Sequence, residues 1–179
     1  MSEKVLPARH AANVIGALAL GLADRMVAET EALVGAGANA SAALILIGNR
    51  PDLTIDALRH GLHLTHSATV RTVTRLKNAG LVEKRSGKDA RSVYLRLSAS
   101  GKREMARALA QREKILAEAL ADLSVEERVA MGALAARVLP CLAPDAARAE
   151  AVCRLCDGGQ CPDDLCPLTP ERQVAHGAQ

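Results

Sequence analysis

Residues 64–101 constrain this chain most. They open with Leu64-Thr65-His66-Ser67-Ala68-Thr69-Val70-Arg71-Thr72-Val73-Thr74-Arg75-Leu76 and continue Lys77-Asn78-Ala79-Gly80-Leu81-Val82. Thr65 is a natural N-cap and Gly80 a natural stop, so 67–78 reads as a short capped helix. Ala68, Thr72, Val73 and Leu76 fall on one side of it; Ser67, Val70, Arg71 and Thr74 fall on the other. Two strand candidates follow, 81–85 and 92–97, joined by the polar Ser86-Gly87-Lys88-Asp89-Ala90-Arg91 loop. A capped helix followed by a basic hairpin suits a protein that lays the helix in a DNA groove and the hairpin along the adjoining backbone.

The charge distribution points the same way. From Ile55 to Arg103 there are eleven basic side chains against three acidic ones, a local +8 in a chain whose formal charge is +3. A basic block in a nearly neutral protein implies a polyanion-binding face. Base stacking is excluded as the main mode of binding, because the chain has no Phe or Trp and Tyr94 is its only aromatic residue. The apolar residues are mostly Ala, Leu and Val, which favour closely packed helices.

Upstream, residues 8–34 form a long helix candidate in which Val14, Leu18, Leu22 and Met26 recur every four positions. A short helix at 40–47 and a third at 55–60, capped by Thr54, precede the Gly61-Leu62-His63 turn. The third helix and 67–78 together read as a helix-turn-helix. Downstream, Ser98 caps a helix to about Ala121, striped by Met105, Leu109, Leu116, Leu120 and Leu123. Ser124-Val125-Glu126-Glu127 fits a capping box opening the next helix, and Pro144-Asp145 starts a last short one. No apolar run long enough to span a membrane and no secretory leader is expected, which places the chain in the cytoplasm.

These ordered motifs resemble the MarR family. The run Leu64-Thr65-x-Ser67-Ala68-x-x-Arg71-x-Val73-x-Arg75-Leu76 with Gly80-Leu81-Val82 is similar to that family's recognition helix and exit. Asp89-Ala90-Arg91 resembles its wing motif, Leu95-x-Leu97-Ser98-x-x-Gly101 the strand and cap after it, and Leu123-Ser124-x-Glu126-Glu127-Arg128 the opening of a dimerisation helix. The resemblance covers roughly residues 10–142. It implies a mainly α fold, a winged helix-turn-helix with a two-stranded β-wing and a helical dimerisation region. The organisation it suggests is a dimerisation helix in 1–39, the DNA-binding unit in 40–103, further dimerisation helices in 104–150 and a cysteine-rich tail in 151–179. The implied function is a homodimeric transcriptional regulator, more often a repressor, on a palindromic double-stranded operator. Small-molecule effectors are common in the family, but no aromatic residue is available here to grip a phenolic one.

The DNA-binding residues expected on this reading are Thr65, His66, Ser67, Val70, Arg71, Thr74, Arg75, Lys77, Lys88, Asp89 and Arg91. Ser67, Val70, Arg71 and Thr74 face the bases; Arg75 and Lys77 lie nearer the phosphates. Lys88 and Arg91 follow the backbone or the minor groove, with Asp89 orienting Arg91. The competing classes are a protein-interaction adaptor on a winged-helix scaffold and an enzyme, which no Cys–His or His–Asp dyad supports.

The tail departs from the family pattern. Cys153, Cys156, Cys161 and Cys166 place four of the five cysteines within fourteen residues, spaced C-x2-C-x4-C-x4-C. A helix C-terminus disfavours thiolates, so such clustering suggests a cation holding them deprotonated. Zinc bound by four thiolates suits a closed structural site. An iron–sulfur cluster also takes four thiolates and implies a redox or iron sensor, and metal-free redox thiols are the third reading.

Overall fold

The computed structural model describes residues 7–50, 52–86, 93–161 and 164–169. Seven helices and a small sheet lie among them: α1 (Ala8–Val34), α2 (Ala40–Asn49), β1 (Leu53–Thr54), α3 (Ile55–Gly61), α4 (His66–Asn78), β2 (Val82–Ser86), β3 (Val93–Leu97), α5 (Ala99–Ala119), α6 (Val125–Leu142) and α7 (Ala146–Val152).

α2 is the hub. Its sequence is apolar all round, and every residue from Ala40 to Ile47 is buried, as an all-apolar helix requires. α1 and α5 pack on it and on each other, and α3 and α4 close its other side. Ser41 is the buried polar exception on α2, and it is satisfied: Thr30 of α1 donates to the Ser41 hydroxyl at 3.0 Å. Leu44, Leu58, Leu76 and Leu95 fill the centre, one each from α2, α3, α4 and β3.

The sheet has three strands in the order β1-β3-β2, all antiparallel. The hairpin pairs Val82 with Leu97 and Ser86 with Val93, so the wing loop departs after Ser86. β1 is an addition to the two-stranded wing expected. It pairs Leu53 with Leu95 and Thr54 with Tyr94, and ties the start of α3 to the wing.

Ser98 joins the hairpin to α5. Its hydroxyl accepts from the Gly101 amide at 3.0 Å and donates to the Gly80 carbonyl at 2.6 Å. Gly101 packs directly on the Leu81 carbonyl, where a Cβ has no room. The helix cap therefore fixes the exit of α4 and the start of α5 at one point.

α1 differs from expectation in one respect. By length and composition it could cross a membrane, with a mean hydropathy of 1.4 over its most apolar window. Its C-terminal half is nevertheless fastened to α5: Arg25 pairs with Glu118 at 2.5 Å, and Gln111 donates to Glu29 at 2.6 Å. Arg25 also holds Glu29 by hydrogen bonding, which keeps that carboxyl below its ordinary range. The apolar side chains Ile15 and Leu20 of α1 remain uncovered within one chain, as do Val125, Val129, Leu134, Val138 and Leu142 of α6, which are 57–69% exposed. α5, by contrast, buries Ala108 and Ile115 inside the protomer.

Candidate nucleic-acid interface

α4 is built to present one face and hide the other. The Thr65 hydroxyl caps it, accepting from the Ala68 amide at 3.3 Å, and lies 3.2 Å from the Ser67 hydroxyl. Thr69, Thr72, Val73 and Leu76 are buried against the core. The two buried threonines cost little, because their hydroxyls donate back to the Thr65 and Ala68 carbonyls at 3.0 and 3.1 Å. Burial of Thr69, deeper than that of Ala68, was not read from the sequence; its position one turn before Val73 is the signal that marks it.

The opposite face carries His66, Ser67, Arg71, Thr74 and Lys77, all exposed, with Val70 half-buried among them. No residue of α4 is acidic. The Thr74 hydroxyl donates to the Val70 carbonyl at 2.8 Å, which turns its oxygen lone pairs and its methyl toward the surroundings. A groove of about 500 Å³ runs beside this face, lined by Asn39, Leu64, Ala68, Val70, Arg71 and Thr74 among others. Asn39 and Leu64 are additions to the residues expected here, brought in by the α1–α2 loop and by the turn.

Arg75 has a more specific position than a general phosphate contact. Its guanidinium donates to the Ala38 carbonyl at 3.1 Å and to the Thr72 hydroxyl at 3.3 Å. It lies over Gly37, whose φ of +85° and lack of a side chain leave it room. Arg75 therefore braces α4 against the α1–α2 loop while remaining exposed.

α3 contributes little net charge to this surface. Arg59 donates to Asp56 at 2.6 Å, and that bond holds the Asp56 carboxyl below the usual carboxylate range. His63 takes a left-handed φ of 52°, which lets the chain turn between α3 and α4. On the wing, Lys84 and Arg85 are exposed, and Arg96 pairs with Asp52 at 2.8 Å. Lys88, Asp89 and Arg91 lie outside the described residues.

The expected metal centre is overturned. Among the described residues, no group of three or more His, Cys, Asp or Glu side chains converges so as to hold an ion. Cys153, Cys156, Cys161 and Cys166 do line one cavity, but they do not form a tetrahedral donor set. Cys153 and Cys156 close on each other across a turn, with the Cys156 amide donating to the Cys153 carbonyl at 2.8 Å. The Cys153 thiol is pushed above its ordinary range by hydrogen bonding to Cys156, by burial and by the charges of Cys156, Cys166 and Cys161. Neither the four-thiolate zinc site nor the iron–sulfur alternative fits this arrangement, since either needs all four sulfurs around one centre.

Comparison with known proteins agrees with the helix-turn-helix geometry. The MarR family model matches residues 37–92. That span runs from the α1–α2 loop through α4 and into the wing. A MarR family protein from Bacillus stearothermophilus superposes with a TM-score of 0.62 at 23% identity, covering 75% of this chain and 96% of that one. YusO from Bacillus subtilis gives 0.59 at 22%, covering 75% and 98%. FabT from Streptococcus pneumoniae, solved in complex with DNA, gives 0.61 at 21%, covering 73% and 96%. These likenesses establish the mainly helical winged helix-turn-helix fold. No protein of curated function matches the sequence.

Proposed function

We propose that this chain is a MarR-type transcriptional regulator, not an enzyme, that binds double-stranded DNA as a homodimer in the cytoplasm and acts by repression. The observation that carries the reading is the acid-free outer face of α4, held outward by a fully buried inner face. His66, Ser67, Arg71 and Thr74 meet base edges in the major groove, where Arg discriminates guanine and Thr and Val pack on thymine methyls. Thr65 and Lys77 meet phosphates at the two ends of the helix. Arg75 sets the angle of α4 and adds positive potential. Lys88 and Arg91, with Asp89 positioning Arg91, extend the contact along the wing.

The second copy is called for by the uncovered apolar faces of α1 and α6. Exposed patches of that kind mark protein interfaces. A two-fold dimer would bury them and would place two α4 helices on successive half-sites of a palindrome.

Selection of bound duplexes from a random-sequence pool tests the reading. A two-fold symmetric site is expected, with affinity falling steeply as salt rises, because each neutralised phosphate releases counterions. Binding that ignores sequence and salt would instead indicate an adaptor that uses the winged helix as a scaffold.

A further inference from the structure

The α1–α2 loop is fastened on both sides of Asn39. The Arg75 guanidinium of α4 donates to the Ala38 carbonyl at 3.1 Å and lies over Gly37. The Asn39 amide donates to the Glu31 carboxylate of α1 at 2.6 Å. Toward α2, the Ala43 amide donates to the Asn39 carbonyl at 3.0 Å, and the Ala40 amide to the Gly37 carbonyl at 3.2 Å. The Asn39 backbone is therefore fixed next to α4, a helix that is itself anchored in the core.

The Asn39 side chain plays no part in that fastening. Asparagine directly before a helix ordinarily accepts from one of the first helical amides, which requires an extended backbone. Asn39 stands directly before α2 with a left-handed φ of 64°, and its carboxamide makes no capping bond. Glycine takes such a conformation without strain, and the same loop has Gly35 and Gly37 at its other left-handed positions. At 39 the loop instead carries a side chain that both donates and accepts. Asn39 lines the groove of about 500 Å³ beside α4, together with Arg71, Thr74 and Arg75, and no carboxylate lines it. Glu31, the acid bonded to the Asn39 amide, is half-buried and is not part of that lining.

We infer that Asn39 is a DNA contact outside α4 and the wing: its carboxamide donates to a backbone phosphate at the edge of the major groove that α4 enters. This rests on the DNA-binding reading above. A groove walled by two guanidiniums and no acid attracts an anion. On a duplex, the anion that adjoins the major groove is a backbone phosphate. The fixed backbone at 39 means that little chain freedom is lost when the bond forms. Phosphates are alike at every step, so the contact sets the placement of α4 and carries no base preference. In this it differs from Arg71. It also differs from Lys77, because a neutral amide neutralises no phosphate and releases no counterion.

The test uses the full-length protein and a duplex that the wild type has selected from a random pool. Asn39→Gly keeps the left-handed backbone and removes only the side chain. It should stay folded in denaturant titration and lose about tenfold in affinity. The loss should be the same on the selected duplex and on singly substituted ones, with the salt dependence unchanged. Asn39→Asp keeps the size of the side chain but sets a negative charge against the phosphate. It should bind more weakly than Asn39→Gly, and the gap between the two variants should narrow as salt rises. If the wild type selects no duplex, the DNA-binding reading fails and this inference falls with it. If it selects one, but Asn39→Gly and Asn39→Asp bind it as the wild type does, Asn39 serves the loop backbone alone and the contact is overturned. A loss confined to one base pair of each half-site would overturn the phosphate contact in favour of base readout.

Discussion

α4 and α6 are both surface helices, yet they expose opposite chemistries. α4 buries Thr69, Thr72, Val73 and Leu76 and turns hydroxyls and cations outward. α6 opens with a complete capping box, in which the Ser124 amide donates to the Glu127 carboxylate at 2.7 Å and the Glu127 amide to the Ser124 hydroxyl at 3.2 Å, but leaves Val125, Val129, Leu134, Val138 and Leu142 uncovered. A helix whose apolar stripe is covered within its own chain can afford a polar face for a charged partner. A helix whose stripe is uncovered needs a protein partner, because burying each such side chain is worth roughly 1.5–3 kcal/mol. On the function proposed above, the contrast gives the two surfaces different partners: a polyanion for α4, a second copy for α6 and α1.

The assignment is broken most severely at α6. Val129→Glu with Leu134→Glu places charge where the second copy should pack. Sedimentation should then show monomers, and affinity for a palindromic duplex should fall by about 10²- to 10⁴-fold as the linkage of two half-sites is lost. Thermal stability of the protomer should change little, since both positions are exposed in it. A variant that stays dimeric would move the interface off α6. The buried side of α4 comes next. Leu76→Ala should cost about 2–5 kcal/mol of unfolding free energy in denaturant titration, because Leu76 is fully buried at the core centre. A small loss there would mean that α4 is not anchored as its burial indicates.

The same contrast separates what was legible in the sequence from what was not. The cap at Thr65 followed from residue type, and the inward placement of Val73 and Leu76 and the outward placement of Ser67, Arg71 and Thr74 from helical period. Period sets the direction of every side chain once the helix is granted. β1 carries no such signal: two residues make no alternation, and Leu53 and Thr54 become a strand only because β3 offers an edge. The brace formed by Arg75 was illegible for a related reason, since its partner Ala38 lies 37 residues away on a loop. The cysteine spacing suggested a single metal centre, but spacing along a chain does not say which way thiols point after a turn. The 153–156 turn is closed by the Cys156 amide on the Cys153 carbonyl, and among the described residues no three ligand side chains converge. The wing-tip residues Lys88, Asp89 and Arg91 fall outside the described residues.

On the outer face of α4 the effects should be smaller and of a different kind. Arg71→Ala should weaken binding to the selected duplex by about 1–3 kcal/mol and relax preference at one base pair in each half-site, as read by competition with substituted duplexes. Lys77→Ala should weaken binding similarly on all sequences and flatten the salt dependence by about one counterion per protomer. If the two substitutions behaved alike, α4 would be a charged surface without base readout.

The smallest effect is expected at the start of α4. Thr65→Ala removes the hydroxyl that accepts from the Ala68 amide, and loss of such a cap costs about 1 kcal/mol. Thr65→Ser keeps the oxygen and should restore that stability. Ser67 separates two roles for the cap, because its hydroxyl lies beside that of Thr65. If the pair only stabilises the helix, Thr65→Ala should lower unfolding free energy and DNA affinity in proportion. If the Thr65 hydroxyl also holds Ser67 in its reading position, DNA affinity should fall further than stability, and Thr65→Ala should add nothing to Ser67→Ala in a double-mutant cycle on the selected duplex. The second outcome is the one the outward face predicts.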